Sequence, residues 1–104
     1  MIHVIATIEI APGRRNEYLE IFAELVPKVR AEQGCLVYGP AVDVDSGISL
    51  QIPLRDNVVT AVEQWSDLEA LNAHVSAPHM AEYSEKVKGL NLVVGVTLQV
   101  LQPV

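Results

Sequence analysis

The sequence has 104 residues, half of them hydrophobic, and a formal net charge of −6. This length predicts one domain over residues 1–104, with enough apolar residues for a packed core. The acidic balance argues against nucleic-acid binding, because phosphate contacts need clustered Lys and Arg, and the seven basic residues here are scattered.

A single cysteine, Cys35, rules out an intrachain disulfide. No charged-then-apolar signal segment opens the sequence, and no apolar run reaches the roughly 18 residues that a membrane span needs. We therefore expect a cytoplasmic protein without a membrane span. A domain of this size buries only about two thirds of the surface of its unfolded chain, so pairing two chains would add useful burial.

The first half of the chain predicts a strand, a helix and a second strand. Residues Ile2–Ile10 alternate between apolar and other residues, which is typical of a strand with one face on a core. Helical spacing extends from Arg14 to about Glu32, and Pro27 inside it predicts a kink or a tightened turn. A second strand is predicted from Cys35 to Val44, at a sheet edge or with a bulge because it contains Pro40.

The second half predicts two strands separated by two helices. A short extended piece, Ile48–Leu54, precedes the strand Val58–Trp65. Ser66 and Ser76 are predicted to cap the two helices, and Leu92–Leu101 is a last, strongly apolar strand. The order β-α-β-β-α-β predicts an α+β, ferredoxin-like split βαβ fold, in which helices cover one face of an antiparallel sheet.

Four segments resemble the antibiotic-biosynthesis monooxygenase family, and within it the small bacterial quinol monooxygenases. They are AEQGCLVYGP, VEQWSDLEALNAH, SAPHMAEYSEKVKG and the terminal LQP. The resemblance extends over nearly the whole chain. It implies a homodimeric α+β barrel in which two sheets meet face to face, with a pocket in each chain between sheet and helices. It also implies oxidation of phenols, hydroquinones or polyketide rings by dioxygen as co-substrate, with neither metal nor flavin.

Other activities in the same family give alternative hypotheses. The haem-degrading members resemble one another in an Asn, a Trp and a His, and this sequence has Ala6, His74 and Ser84 at the matching positions, so haem degradation is not expected. An isomerase of a small phosphorylated signalling sugar would need a phosphate clamp, and no dense basic cluster is present. A non-catalytic dimer that binds an aromatic or quinone ligand is a further alternative, since a fold does not determine function.

Two histidines are the candidate bases for hydroquinone oxidation. A phenol with a pKa of about 10 needs help to lose its proton at neutral pH, and an unperturbed histidine titrates near neutrality. His74, at the end of the predicted helix after Ser66, is the first choice, with a partly exposed helix-terminal histidine as the alternative. His79, in the first turn of the next helix, is a second catalytic candidate or part of the wall of a turn.

Four other residues are candidates for the pocket. Glu63 shares a strand face with Trp65, where its carboxylate is predicted to orient a histidine or to accept the second substrate proton. Trp65 is either core packing or a flat wall for a planar ring, and Tyr38 and Tyr83 either pack or donate hydrogen bonds to a quinol oxygen. No HExxH motif or cysteine pair is present, so we expect no metal and no bound cofactor.

Overall fold

The computed structural model describes residues 1–104 and has the α+β, ferredoxin-like architecture that the sequence predicts. Its four strands form one antiparallel sheet in the order β2-β3-β1-β4. No helix is long and apolar enough to cross a membrane. The elements in chain order are β1 (Ile2–Ile10), α1 (Arg15–Arg30), β2 (Cys35–Ala41), β3 (Val58–Trp65), α2 (Leu68–Val75), α3 (Pro78–Gly89) and β4 (Val93–Leu101).

The core lies between one face of the sheet and the helices. The alternating residues of β1 predicted to face the core are buried, from Ile2 through Ile10. Phe22 and Val29 of α1 pack against this face, and Trp65 at the end of β3 is fully buried. Tyr18 of α1 is also in the core. The opposite face of the sheet carries no helix.

The second predicted strand is real but shorter than expected. It ends at Ala41 instead of Val44, and its register shifts between Cys35 and Val37. As predicted for a strand that contains a proline, β2 is an edge strand, since it pairs only with β3. Pro40 itself is paired in register with Ala61, so the irregularity does not lie at the proline.

The extended piece predicted at Ile48–Leu54 is wrong, because no strand forms between β2 and β3. We call residues 42–57 the connection. Side-chain bonds set its conformation: Gln51 donates to the carbonyl of Val44 at 2.7 Å and accepts from the Ser46 backbone N–H at 3.0 Å. Bonds of this kind compete with strand pairing.

Both predicted serine N-caps are wrong by one residue. Asp67 caps α2, where its carboxylate accepts from the backbone N–H of Ala70 at 2.8 Å. The N-cap of α3 is Ala77, which has extended backbone angles, as a residue that precedes a proline prefers. Ser76 instead ends α2, with its hydroxyl directed at the carbonyls of that helix.

Candidate active site

A cavity of about 330 Å³ lies between the sheet and helices α2 and α3. Its volume is at the small end of the range for ligand pockets, which suits a compact ligand. Twelve of its fifteen lining residues are hydrophobic, and they come from β1, β3, α2, α3 and β4. The lining consists of Val4, Ala6, Ile8, Ala61, Glu63, Leu71, His74, Val75, Met80, Tyr83, Ser84, Val87, Val93, Val96 and Leu98.

A carboxylic acid and an imidazole line this apolar cavity, Glu63 from β3 and His74 from α2, and both are buried. His74 lies three residues after Leu71, which places both on the inward side of the helix. The alternative of a partly exposed helix-terminal histidine does not hold, since only 3% of His74 is exposed. The structure therefore brings two of the predicted site residues together.

A carboxylate behind the cavity fixes the orientation of His74. The Nδ1 atom of His74 lies 2.9 Å from Glu32 Oε2, whereas its Nε2 atom is 3.9 Å from Glu63 Oε1, beyond hydrogen-bond range. Because a carboxylate accepts, this contact assigns the hydrogen of the neutral ring to Nδ1. Nε2 makes no hydrogen bond within the protein. Since every fully buried polar side-chain atom has a hydrogen bond, Nε2 is not fully buried, and it opens to the cavity that His74 lines.

Trp65 supports the site from behind and does not line the cavity. Its indole N–H donates to Glu63 Oε1 at 2.9 Å, and its ring centroid is 4.6 Å from that of His74. Burial raises the pKa of Glu63, against the opposing effects of the Trp65 hydrogen bond and of His74, while Glu32 raises it further. The predicted flat wall for a substrate ring is therefore absent from the lining, and Trp65 positions Glu63 and His74.

Glu32 is the residue that the sequence analysis missed. The same oxygen that contacts His74 also contacts Nε2 of His79, at 2.7 Å. The two histidines lie on different helices, as predicted, yet they meet at one carboxylate. No periodicity links residue 32 to either histidine, and the available signal was an acidic residue beside the glycine turn after α1. We call Glu32, Glu63, Trp65, His74 and His79 the polar cluster.

The turn between α1 and β2 holds Glu32 in place. The backbone N–H of Glu32 donates to the carbonyl of Val29, and its carbonyl accepts from the N–H of Cys35. Gly34 has φ of +83°, and a Cβ there would lie 2.6 Å from Ser66 Oγ and from the Cβ of Ala70. Only glycine combines this backbone angle with such a close approach to α2.

His79 lies outside the cavity, at a surface groove also lined by Glu24, Lys28, Glu82 and Lys86. Its side chain is 22% exposed. Its Nδ1 makes no hydrogen bond within the protein. Since every fully buried polar side-chain atom has a hydrogen bond, this Nδ1 is accessible to solvent. The structure thus does not place His79 against a ligand in the cavity.

The predicted tyrosines have different surroundings. The ring of Tyr83 lines the cavity, and its hydroxyl is hydrogen-bonded to that of Tyr18. Tyr38 is buried outside the lining, stacked on Phe22 with ring centroids 5.5 Å apart and packed edgewise on His74. Burial raises the pKa of both Tyr38 and Tyr83, so both are neutral and neither acts as a base at neutral pH.

No group of three or more His, Cys, Asp or Glu side chains in the chain is arranged to hold a metal ion.

Comparisons with known proteins agree on one family. The family model for antibiotic biosynthesis monooxygenase matches residues 1–86. The probable quinol monooxygenase YgiN of Escherichia coli strain K12 is 43% identical over 105 aligned positions, which cover 99% of this chain and 98% of YgiN.

Solved structures share the fold. PA3566 from Pseudomonas aeruginosa is 28% identical, with a TM-score of 0.78 over 99% of this chain and 93% of that chain. Rv0793 from Mycobacterium tuberculosis is 24% identical, with a TM-score of 0.78 over 99% of this chain and 94% of that chain. The second likeness bears on the fold alone.

Proposed function

Because this chain belongs to the antibiotic biosynthesis monooxygenase family, we propose that it oxidises a hydroquinone of about naphthoquinol size to the quinone with dioxygen, without metal or organic cofactor. The observation that carries the proposal is His74, whose Nε2 opens to an apolar cavity while Glu32 holds its Nδ1. The name of the Escherichia coli relative, a probable quinol monooxygenase, supports the substrate class.

The first step is removal of one hydroxyl proton by His74. Nε2 is an unprotonated nitrogen facing the ligand space, so it accepts the proton, and the hydroquinone becomes an electron-rich anion that dioxygen can oxidise. The hydroquinone loses two electrons and two protons in total. Dioxygen takes up both electrons and two protons, so that the products are quinone and hydrogen peroxide.

Glu63 stabilises the protonated base. Once Nε2 of His74 carries a proton, the carboxylate of Glu63 at 3.9 Å faces a cation on one side of the ring while Glu32 faces the other side. The Trp65 indole holds the Glu63 carboxylate in this position. Opposite charges at this distance attract each other more strongly in a partly dehydrated site than in bulk water.

The cavity lining bears on the alternatives. It contains neither Lys nor Arg, which a phosphorylated sugar would need as partners for its phosphate, so the isomerase hypothesis has no support here. A non-catalytic quinone-binding protein would have the same apolar lining. Turnover decides between that hypothesis and the oxidase.

Oxygen consumption with 1,4-naphthohydroquinone tests the proposal. We expect dioxygen uptake and quinone formation above the autoxidation rate, unchanged after chelation, and no quinone formation under anaerobic conditions. Isotopically labelled dioxygen separates reduction to peroxide from insertion of one oxygen atom into the ring. Quinone binding without any enzyme-dependent oxygen uptake would favour the binding protein instead.

We also propose that the active form is a homodimer. Large apolar side chains are exposed on β4 and on the connection, with Leu98 at 56% and Leu50 at 92% exposure. Light scattering at micromolar concentration should give twice the chain mass of 11.3 kDa. Leu50→Asp should weaken the dimer, whereas Leu68→Asp, at an exposed residue in the first turn of α2, should not. A monomeric wild-type protein would contradict this.

A further inference from the structure

The polar cluster extends from the cavity to the protein surface. Glu63 and His74 line the cavity, and His79 lines the separate groove on the outer side of α3. Between them, Glu32 Oε2 is 2.9 Å from His74 Nδ1 and 2.7 Å from His79 Nε2. A continuous chain of titratable groups therefore joins the cavity to the solvent-exposed groove on the other side of α3.

We propose that Glu32 and His79 form the route by which the substrate proton leaves the site, so that Glu32 is a positioning and relay residue behind His74. This inference rests on the proposed function, since it concerns the proton that His74 removes. His74 itself is 3% exposed, and its Nε2 opens to the cavity. Without a second path, that proton could leave only past bound substrate or product.

The transfers balance as follows. A proton enters His74 at Nε2, and the proton on Nδ1 passes to Glu32 Oε2. While Glu32 is ionised, its contact assigns a hydrogen to Nε2 of His79, but once protonated Glu32 becomes the donor, and His79 accepts at Nε2 after its partly exposed ring has changed to the Nδ1–H tautomer. The resulting imidazolium releases its Nδ1 proton to solvent, and the peroxide formed in the cavity takes up one proton from solvent in exchange. Each ring gains one proton and loses one, no electron moves along this path, and tautomer exchange of the two rings restores the starting state.

The surroundings of His74 favour this direction. The groups that face its ring are Glu63 from β3, Tyr38 from β2, Trp65 at the end of β3, and Glu32 from the turn after α1. Tyr38 is buried and neutral, and Trp65 has no titratable proton at neutral pH. Glu63 faces the same cavity as the substrate, so Glu32 is the acceptor that leads away from it.

Steady-state kinetics with added buffer test the relay. Oxidation of 1,4-naphthohydroquinone by wild-type protein is compared with that by His79→Ala, Glu32→Gln and the control Glu82→Gln, which changes a neighbouring carboxylate of the same groove. We expect His79→Ala to lower kcat about 10-fold or more, less than the roughly 100-fold or larger effect of a direct base, with kcat/KM unchanged. Imidazole should restore its kcat in proportion to concentration, and Glu82→Gln should behave as wild type.

The outcomes separate the two proposals. If the wild-type protein shows no oxygen uptake above autoxidation, both the proposed function and the relay are wrong. If wild type is active and His79→Ala keeps the wild-type kcat at every buffer concentration, the relay alone is wrong. Should Glu32→Gln fail to fold, His79→Ala still decides, because its surface position leaves the cavity lining intact.

Discussion

Carboxylates are held in two different ways in this molecule. In the polar cluster, Glu32 and Glu63 are partnered by histidine and tryptophan nitrogens, and no Arg or Lys contacts them. In the connection, Asp43 accepts from Nε and a terminal nitrogen of Arg55 at 2.8 and 2.9 Å. The contrast appears in the pKa values as well: burial raises that of Glu63, and the Arg55 hydrogen bonds lower that of Asp43.

This difference follows from what each region must do. A guanidinium is always charged, so its pairing with Asp43 fixes the shape of an exposed segment but exchanges no proton. Imidazole changes its charge near neutral pH, so a carboxylate bound to it belongs to a site where protons move. The connection therefore contains a permanent ion pair, whereas the carboxylates of the polar cluster have no permanently charged partner.

The largest difference between the two regions is expected in the oxidation rate after substitution of His74. His74→Ala removes the proposed base and should lower the rate at pH 7 by about 100- to 10,000-fold, whereas Asp43→Asn in the connection should leave it unchanged. The loss should shrink as the pH rises toward the pKa of the quinol, because free ionisation then replaces the base. Rates are measured above autoxidation. A folded His74→Ala protein with full turnover and an unaltered pH profile would show that another group is the base.

Glycines in the two regions sharpen the comparison next. Gly34→Ala beside Glu32 and Gly47→Ala in the connection both place a side chain at positive φ, which costs about 1–2 kcal/mol. At Gly34 the new Cβ also meets α2, which adds roughly 1–3 kcal/mol of overpacking. Urea denaturation should therefore show a larger loss for Gly34→Ala. Equal losses would mean that the turn moves away from α2 freely.

The same two regions separate what the sequence predicts from what it does not. Alternation in β1 and β3 and helical spacing in α1 arise from local periodicity. The structure confirms these three elements and the faces that they bury. The connection has apolar residues without a partner strand, so its side-chain bonds override the predicted extended piece at Ile48–Leu54. Local patterns do not contain that competition.

The candidate site was predictable only in part, for the same reason. His74 was found because its helix resembles the pocket helix of the family, and Glu63 because it shares a strand face with Trp65, and both line the cavity. The meeting of Glu32 with two histidines more than forty positions away depends on the turn at Gly34 and on the packing of three helices. Trp65 was assigned a face correctly, but a face does not tell whether a ring lines a cavity or supports it from behind.

Glu63→Gln should change stability in a direction opposite to the usual loss of a carboxylate. Because burial raises the folded-state pKa of Glu63, the folded protein binds a proton more tightly than the unfolded chain does. The stability of the wild-type protein therefore falls as the pH rises from the unfolded-state pKa to the folded-state pKa of this carboxyl group. The amide has no such titration and can still accept from Trp65. The variant should gain stability relative to wild type as the pH rises above the ordinary glutamate pKa of about 4.3, measured by urea denaturation. A constant difference would show that Glu63 is not penalised by burial.

Asp43→Asn should have the smallest effect and the opposite sign. Arg55 lowers the folded-state pKa of Asp43, so the pair contributes stability that is complete above the ordinary aspartate pKa of about 3.9 and is lost as the pH falls through the folded value. The variant should be slightly less stable than wild type at pH 6, since exposed ion pairs contribute little, and this deficit should shrink below pH 4. Asp56→Asn, at a carboxylate with no hydrogen bond, should show no such trend. A deficit that persists unchanged to pH 3 would mean that Asp43 acts through neutral hydrogen bonds, and the contrast with the polar cluster would then rest on Glu63 alone.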